Sequence, residues 1–101
     1  MDKLHHVAIQ VNDLKATVNW YQQHFACEVA YQDDTWALLN FDNLQLAFVI
    51  PGQHPPHIAF ERPDAAGFGE LKTHRDGTAS VYIKDPSGNN IEVMQKPVSG
   101  N

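Results

Sequence analysis

Cysteine is almost missing from this chain: Cys27 is the only one. A disulfide within the chain is therefore excluded, and so is any CxxC redox or metal motif. Basic residues are sparse too, with 7 Lys and Arg against 12 Asp and Glu and a formal charge of −5. No Lys/Arg run is present to neutralise phosphates, so binding to nucleic acid through a basic field is not expected. Apolar runs are strand-sized, too short to span a membrane. The opening Met1-Asp2-Lys3-Leu4-His5-His6 has no apolar signal-peptide core, which makes a reduced cytoplasmic setting the expectation.

What remains is a globular composition. The chain has 101 residues, 43% of them hydrophobic and 19% charged. That is one small domain, burying roughly two thirds of its unfolded surface. Six histidines are many for this length, and they are the first hint of metal chemistry.

An internal repeat organises the chain at an offset of 51 residues. His6-Val7-Ala8-Ile9-Gln10-Val11-Asn12-Asp13 returns as His57-Ile58-Ala59-Phe60-Glu61-Arg62-Pro63-Asp64. Each copy alternates like a strand and ends on an Asp at a helix N-cap position. Beyond Asp13, the spacing of Leu14, Val18, Tyr21 and Phe25 predicts a helix over 14–25. Strands follow at 27–31, 36–41 and 44–50, with turns at Asp33-Asp34 and Asp42-Asn43. Prolines 51, 55 and 56 with Gly52 make 51–56 a linker. The second half repeats the plan: a strand at His57, a helix from Asp64 to Lys72 weakened by Gly67 and Gly69, and strands at 78–84 and 90–95. Residues 85–89 turn between the last two strands, the second strand of this module has little room, and the tail at 96–101 is expected to fray. The fold class is α+β. Two βαβββ modules, at 4–50 and 56–96, form a half-barrel cleft in one domain over 1–101, with the second module trimmed.

Strand parity then sorts the side chains. Val7, Ile9 and Val11 suit packing on the helix, as do Leu44, Leu46 and Phe48, Ile58 and Phe60, and Ile91 and Val93. His6, Gln45, His57 and Glu92 lie on the opposite faces and would line a common cavity. Two imidazoles and one carboxylate suit Fe(II), Mn(II), Ni(II), Zn(II) or Co(II), and three ligands leave positions open for substrate. A lone strand histidine is more often hydrogen-bonded or at the surface than a ligand. The recurrence at His6 and His57, with a parity-matched Glu92, is what singles these out. A slip of one residue would bring in His5 instead of His6. His24, His54 and His74 read as solvated, Cys27 as a core residue, and Trp20, Tyr21 and Phe25 as core rather than a cofactor stack. Ser80 and Ser87 sit in no nucleophile motif.

These features resemble the vicinal oxygen chelate superfamily, also called the glyoxalase/bleomycin resistance/dioxygenase family. The resemblance rests on the His6 strand, Asp13-Leu14, the aromatic pair Trp20-Tyr21, the second strand at Pro55-Pro56-His57-Ile58-Ala59-Phe60, and Asp85-Pro86-Ser87-Gly88-Asn89-Asn90-Ile91-Glu92-Val93. It implies a divalent metal held by His6, His57 and Glu92. It also implies a small substrate with vicinal oxygens, and a homodimer. Glu92 and Gln45 are the catalytic candidates. Aligning Asn43-Leu44-Gln45-Leu46 with Asn90-Ile91-Glu92-Val93 puts Gln45 at the fourth ligand position, with Ala47 the competing alignment. Glyoxalase I carries a glutamate there, so a standard lactoylglutathione lyase is not implied. Isomerase, lyase, dioxygenase and transferase chemistry all stay open. The alternative is a metal-free module that sequesters a small molecule, as in the bleomycin-resistance branch.

Overall fold

Asp13 starts the helix. Its Oδ1 accepts from the Ala16 amide at 3.0 Å, satisfying one of the amides left without a partner at a helix start. In this computed structural model, residues 1–74 and 77–95 are described, and the expected fraying at 96–101 lies outside them. The described elements are β1 (Lys3–Gln10), α1 (Leu14–His24), β2 (Glu28–Gln32), β3 (Trp36–Asn40), β4 (Gln45–Val49), β5 (His57–Glu61), β6 (Lys72–Thr73), β7 (Ala79–Lys84) and β8 (Asn90–Gln95). A single 3-10 turn at Ala65–Phe68 stands between β5 and β6. Contacts divide the chain into two compact units, one of residues 6–57 and one of residues 1–5 with the chain from Ile58 on. The α+β class and the βαβββ plan stand.

In the unit of residues 6–57, the strands lie in the order β2-β3-β4-β1. β1 runs parallel to β4, with His6 opposite Gln45 and Ala8 opposite Ala47, and the other pairs are antiparallel. Leu14 and Val18 of α1 pack with Ala37, Leu39 and Phe48. Burying side chains such as Phe48, Leu39 and Val18 stabilises by about 1.5–3 kcal/mol each. On the other face, Ala8, Ala47 and Val49 pack with Trp36 and Leu38. The parity expected of β1 and β4 is the parity observed. Trp20 and Phe25, expected in the core, are about half exposed. Only the Leu14–Val18–Tyr21 stripe of α1 meets the sheet, so Trp20 lies beside it and stacks on His24 instead.

The second unit departs from the sequence expectation between Asp64 and Lys72. The equivalent of Asp13 is occupied elsewhere: Asp64 takes two bonds from the Arg62 guanidinium, at 2.8 and 3.0 Å, and caps nothing. Arg62 also reaches Asp2 at 2.9 Å and so ties down the N-terminal residues. With no cap, and with Gly67 and Gly69 in the segment, only the 3-10 turn forms. Gly69 has φ +154, and a Cβ there would come within 2.9 Å of Val81 Cγ1. No long helix therefore covers Ile58, expected to pack but 36% exposed. The strand order is β5-β8-β7-β6, the same plan as the first unit with β6 reduced to two residues. β5 runs parallel to β8, with Ala59 opposite Glu92, and β7 is antiparallel to it.

Candidate metal centre

His6 and His57 come together. His6 sits on β1, and His57 follows the proline linker at the first position of β5. Their Nε2 atoms are 3.1 Å apart, and the rings meet edge to face with centroids 5.2 Å apart. The linker places Pro55 so that its carbonyl lies 2.8 Å from His57 Nδ1. A carbonyl can only accept, so His57 donates from Nδ1, and this bond orients the ring from behind while its Nε2 faces a second imidazole. His6, not His5, meets His57.

Glu92 belongs to the other unit, on β8. It is 6% exposed, the one buried carboxylate among the described residues. Its position is set by the turn before it. Asp85 Oδ1 accepts from the amides of Ser87 and Asn89, each at 2.9 Å. Asp85 Oδ2 accepts from Asn89 Nδ2 at 2.9 Å, and Gly88 supplies the φ of +86 that the turn requires. These bonds, the Asn89 side chain first, hold the Asp85 carboxyl below the usual aspartate range. Across the β7–β8 ladder Tyr82 stands opposite Glu92. Burial first, then the charge of Glu92 and hydrogen bonding to it, push the phenol well above its ordinary value.

Gln45 lies opposite His6 on β4, and its Nε2 donates to Asn40 Oδ1 at 2.6 Å. The two ladders settle which residue corresponds to Glu92. Asn40 and Gln45 close the β3–β4 hairpin as Lys84 and Asn90 close the β7–β8 hairpin. Counting from those closing pairs, Gln45 corresponds to Asn90, and Ala47 to Glu92. The β1–β4 ladder agrees, since Ala8 faces Ala47 as its repeat mate Ala59 faces Glu92. Ala47 is buried at 4% exposure.

The other histidines divide. His24 caps its own helix through Trp20 O at 2.8 Å. His74, read as solvated, is exposed but bonds the buried Ser80 Oγ through Nε2 at 2.7 Å. Tyr82, Pro55 and Asn40 were not visible as site residues in the sequence. Tyr82 has the right strand parity, but only the β7–β8 register pairs it with Glu92.

The profile of the Glyoxalase/Bleomycin resistance protein/Dioxygenase superfamily matches residues 3–69. The chain belongs to this superfamily. The matched stretch contains His6, Gln45 and His57 and ends before Glu92. No curated protein matches the chain. Among solved structures, a superfamily member from Vibrio splendidus has a TM-score of 0.75 at 11% identity, over 95% of this chain and 100% of that one. Methylmalonyl-CoA epimerase from Mycobacterium tuberculosis has a TM-score of 0.70 at 17% identity, over 95% and 88%. An extradiol ring-cleaving dioxygenase from B. fuscum has a TM-score of 0.65 at 17% identity, over 98% of this chain and 34% of the dioxygenase. At these identities the likeness establishes the superfamily fold. Among the described residues, no helix is long and apolar enough to cross a membrane.

Proposed function

We propose that this chain is a divalent-metal-dependent enzyme acting on a small substrate with oxygens on adjacent atoms, and that His6, His57 and Glu92 are the metal's protein ligands. The observation that carries the reading is the His57 ring. Its Nδ1 donates to the Pro55 carbonyl at 2.8 Å, and its Nε2 lies 3.1 Å from the Nε2 of the repeat-related His6. Glu92 supports it as a buried carboxylate with a donor opposite. The donor set fits: two neutral imidazoles and one carboxylate suit Fe, Mn, Ni, Zn or Co. When bound, such an ion supplies Lewis-acid polarisation of the substrate's oxygens and keeps positions open for them.

The chain's own residues divide the remaining work. Pro55 orients His57. Glu92, a buried carboxylate, could accept a proton from a substrate carbon or hydroxyl if it leaves the metal during turnover. Gln45 is the substrate contact: its amide nitrogen donates to Asn40, and its Oε1 is the acceptor it can offer to a substrate donor. The epimerase and the dioxygenase among the fold's relatives give two reaction classes to assay.

The test is elemental mass spectrometry of protein purified without a metal-affinity tag, beside His57→Ala and Glu92→Gln. Near-stoichiometric metal in the parent, lost in both variants, is expected. No metal after reconstitution with each of the five ions overturns the reading and leaves a metal-free small-molecule binder.

A further inference from the structure

In the unit of residues 6–57, the sheet face away from α1 changes character along its strands. One row is polar: His6, Gln45 and Asn40 stand side by side on β1, β4 and β3. The next row along β3 holds Leu38, and Trp36 lies one row further on, both packed on that same face. The edge strand β2 departs from plain alternation to join them. Val29 stands opposite Leu39, whose side chain packs with α1. Alternation would return Tyr31 to that side, opposite Ala37. The ladder slips by one residue instead, as at a β-bulge, and Tyr31 stands opposite Leu38. Its ring stacks on Trp36, with centroids 4.6 Å apart and planes 26° from parallel. One carboxylate fixes the pair. Asp33 Oδ2 accepts from the Tyr31 hydroxyl at 2.5 Å, and Asp33 Oδ1 accepts from the Trp36 amide at 3.0 Å. Two large rings are thus held in place while Tyr31 stays 42% exposed.

We infer that the Tyr31–Trp36 pair is a specificity subsite, and that the substrate carries an apolar ring on a linker behind its chelating oxygens. This rests on the metal reading above and narrows its substrate class. Two strand spacings and one to two rows separate His6 from the pair, about 10–15 Å of sheet. The oxygens belong at the polar row, the linker runs along β3 past Leu38, and the ring packs on Tyr31 and Trp36, stacked or edge-on. No lysine or arginine stands on β2, β3 or β4, so a phosphate-bearing tail meets no cation of these strands. The slip in β2 is what brings the second ring to this face. Without it Tyr31 would point to the helix side, and Trp36 would stand alone.

The probes are 2-hydroxy-8-phenyloctanoate and 2-hydroxyoctanoate, which share a chelating head and a chain long enough to span the gap, and differ by the ring. Each is titrated by calorimetry into the full chain, with and without Co2+, for the parent, Trp36→Leu and Tyr31→Val. The parent is expected to bind the ring acid about 10-fold or more tightly than its ringless mate. Trp36→Leu should remove most of that advantage and Tyr31→Val part of it, with the affinity for 2-hydroxyoctanoate held. Tyr31→Val changes an exposed edge position and keeps the test open should Trp36→Leu fail to fold. A purely structural role would weaken both acids together. Two results overturn the inference: equal affinities for the two acids in the parent, or a ring advantage that survives in both variants. Failure of the parent to take up Co2+ is a different result, which overturns the metal reading. The metal-free titrations then judge the subsite by itself: a ring advantage lost in the variants upholds it, and no advantage overturns it.

Discussion

Ala47→Glu is the most informative single change, because the ladder makes it the first-module counterpart of Glu92. Position 47 is 4% exposed and packs with Ala8 and Val49. A carboxylate there would be packed against Ala8, Val49, Trp36 and Leu38. At about pH 7 its cheapest escape is to take up a proton, which costs up to about 4 kcal/mol. The added atoms press on a packed face for a further 1–3 kcal/mol or so. For a domain of this size, each kcal/mol lowers the melting temperature by about 4–8 °C. The electrostatic part alone then amounts to about 15–30 °C. The sign of the pH dependence follows. Burial raises the folded-state pKa of the new acid, so its penalty is absent at acid pH, where it is neutral in both states, and grows as the pH rises. Metal acts in the opposite direction. An ion present at about 100 times its dissociation constant returns about 2.7 kcal/mol, and an added ligand tightens that constant. The assay is a pair of thermal melts, metal-free and with excess Co2+, for the parent, Ala47→Glu and Ala47→Met. The Met variant adds comparable bulk without charge. Expected are a large metal-free loss in Ala47→Glu, a smaller one in Ala47→Met, and a Co2+ gain greater in Ala47→Glu than in the parent. A metal-free Ala47→Glu that melts with the parent would refute the burial argument. A Co2+ gain equal to the parent's would refute the reading of position 47 as a fourth ligand position.

Two predictions concern the scaffold. Gly69→Ala forces φ +154 on a residue with a Cβ and drives that Cβ to 2.9 Å from Val81 Cγ1, so about 2–5 kcal/mol should be lost in a denaturant titration. A change below about 1 kcal/mol would show that the segment after the 3-10 turn is free to move away. Asp85, held below its ordinary range by Asn89 and the amides of Ser87 and Gly88, should stabilise the chain above the aspartate range and lose that contribution as the pH falls through it. Asp85→Asn should therefore melt below the parent at about pH 7 and converge with it as the pH falls through the lowered folded-state pKa of Asp85. A constant gap would mean that the charge is not what holds the turn.

The legible parts of this chain were those written in local periodicity. Asp13 followed by Leu14, Val18 and Tyr21 announced α1, and the alternation of β1 and β4 put His6 and Gln45 on the face away from the helix, where they stand. The helix expected after Asp64 failed for a reason the local sequence hides: Arg62 claims the Asp64 carboxylate, and that pairing also engages Asp2, 60 residues away. The fourth ligand position shows the same limit more sharply. Matching Asn43-Leu44-Gln45 to Asn90-Ile91-Glu92 assumes that the asparagines occupy equivalent places. They do not. Asn43 lies in the loop before β4, whereas Asn90 already pairs with Lys84 as the first residue of β8. The closing residue of the first hairpin is Gln45 and that of the second is Asn90, and Asn43 stands two places before Gln45, so matching the two asparagines displaces the alignment by two residues. A shift of two preserves strand parity, so no argument from alternation could have detected it. Only the hydrogen-bond register separates Gln45 from Ala47. That is why the first module offers an alanine where the second offers its buried acid, and why the proposed ligand set has three members.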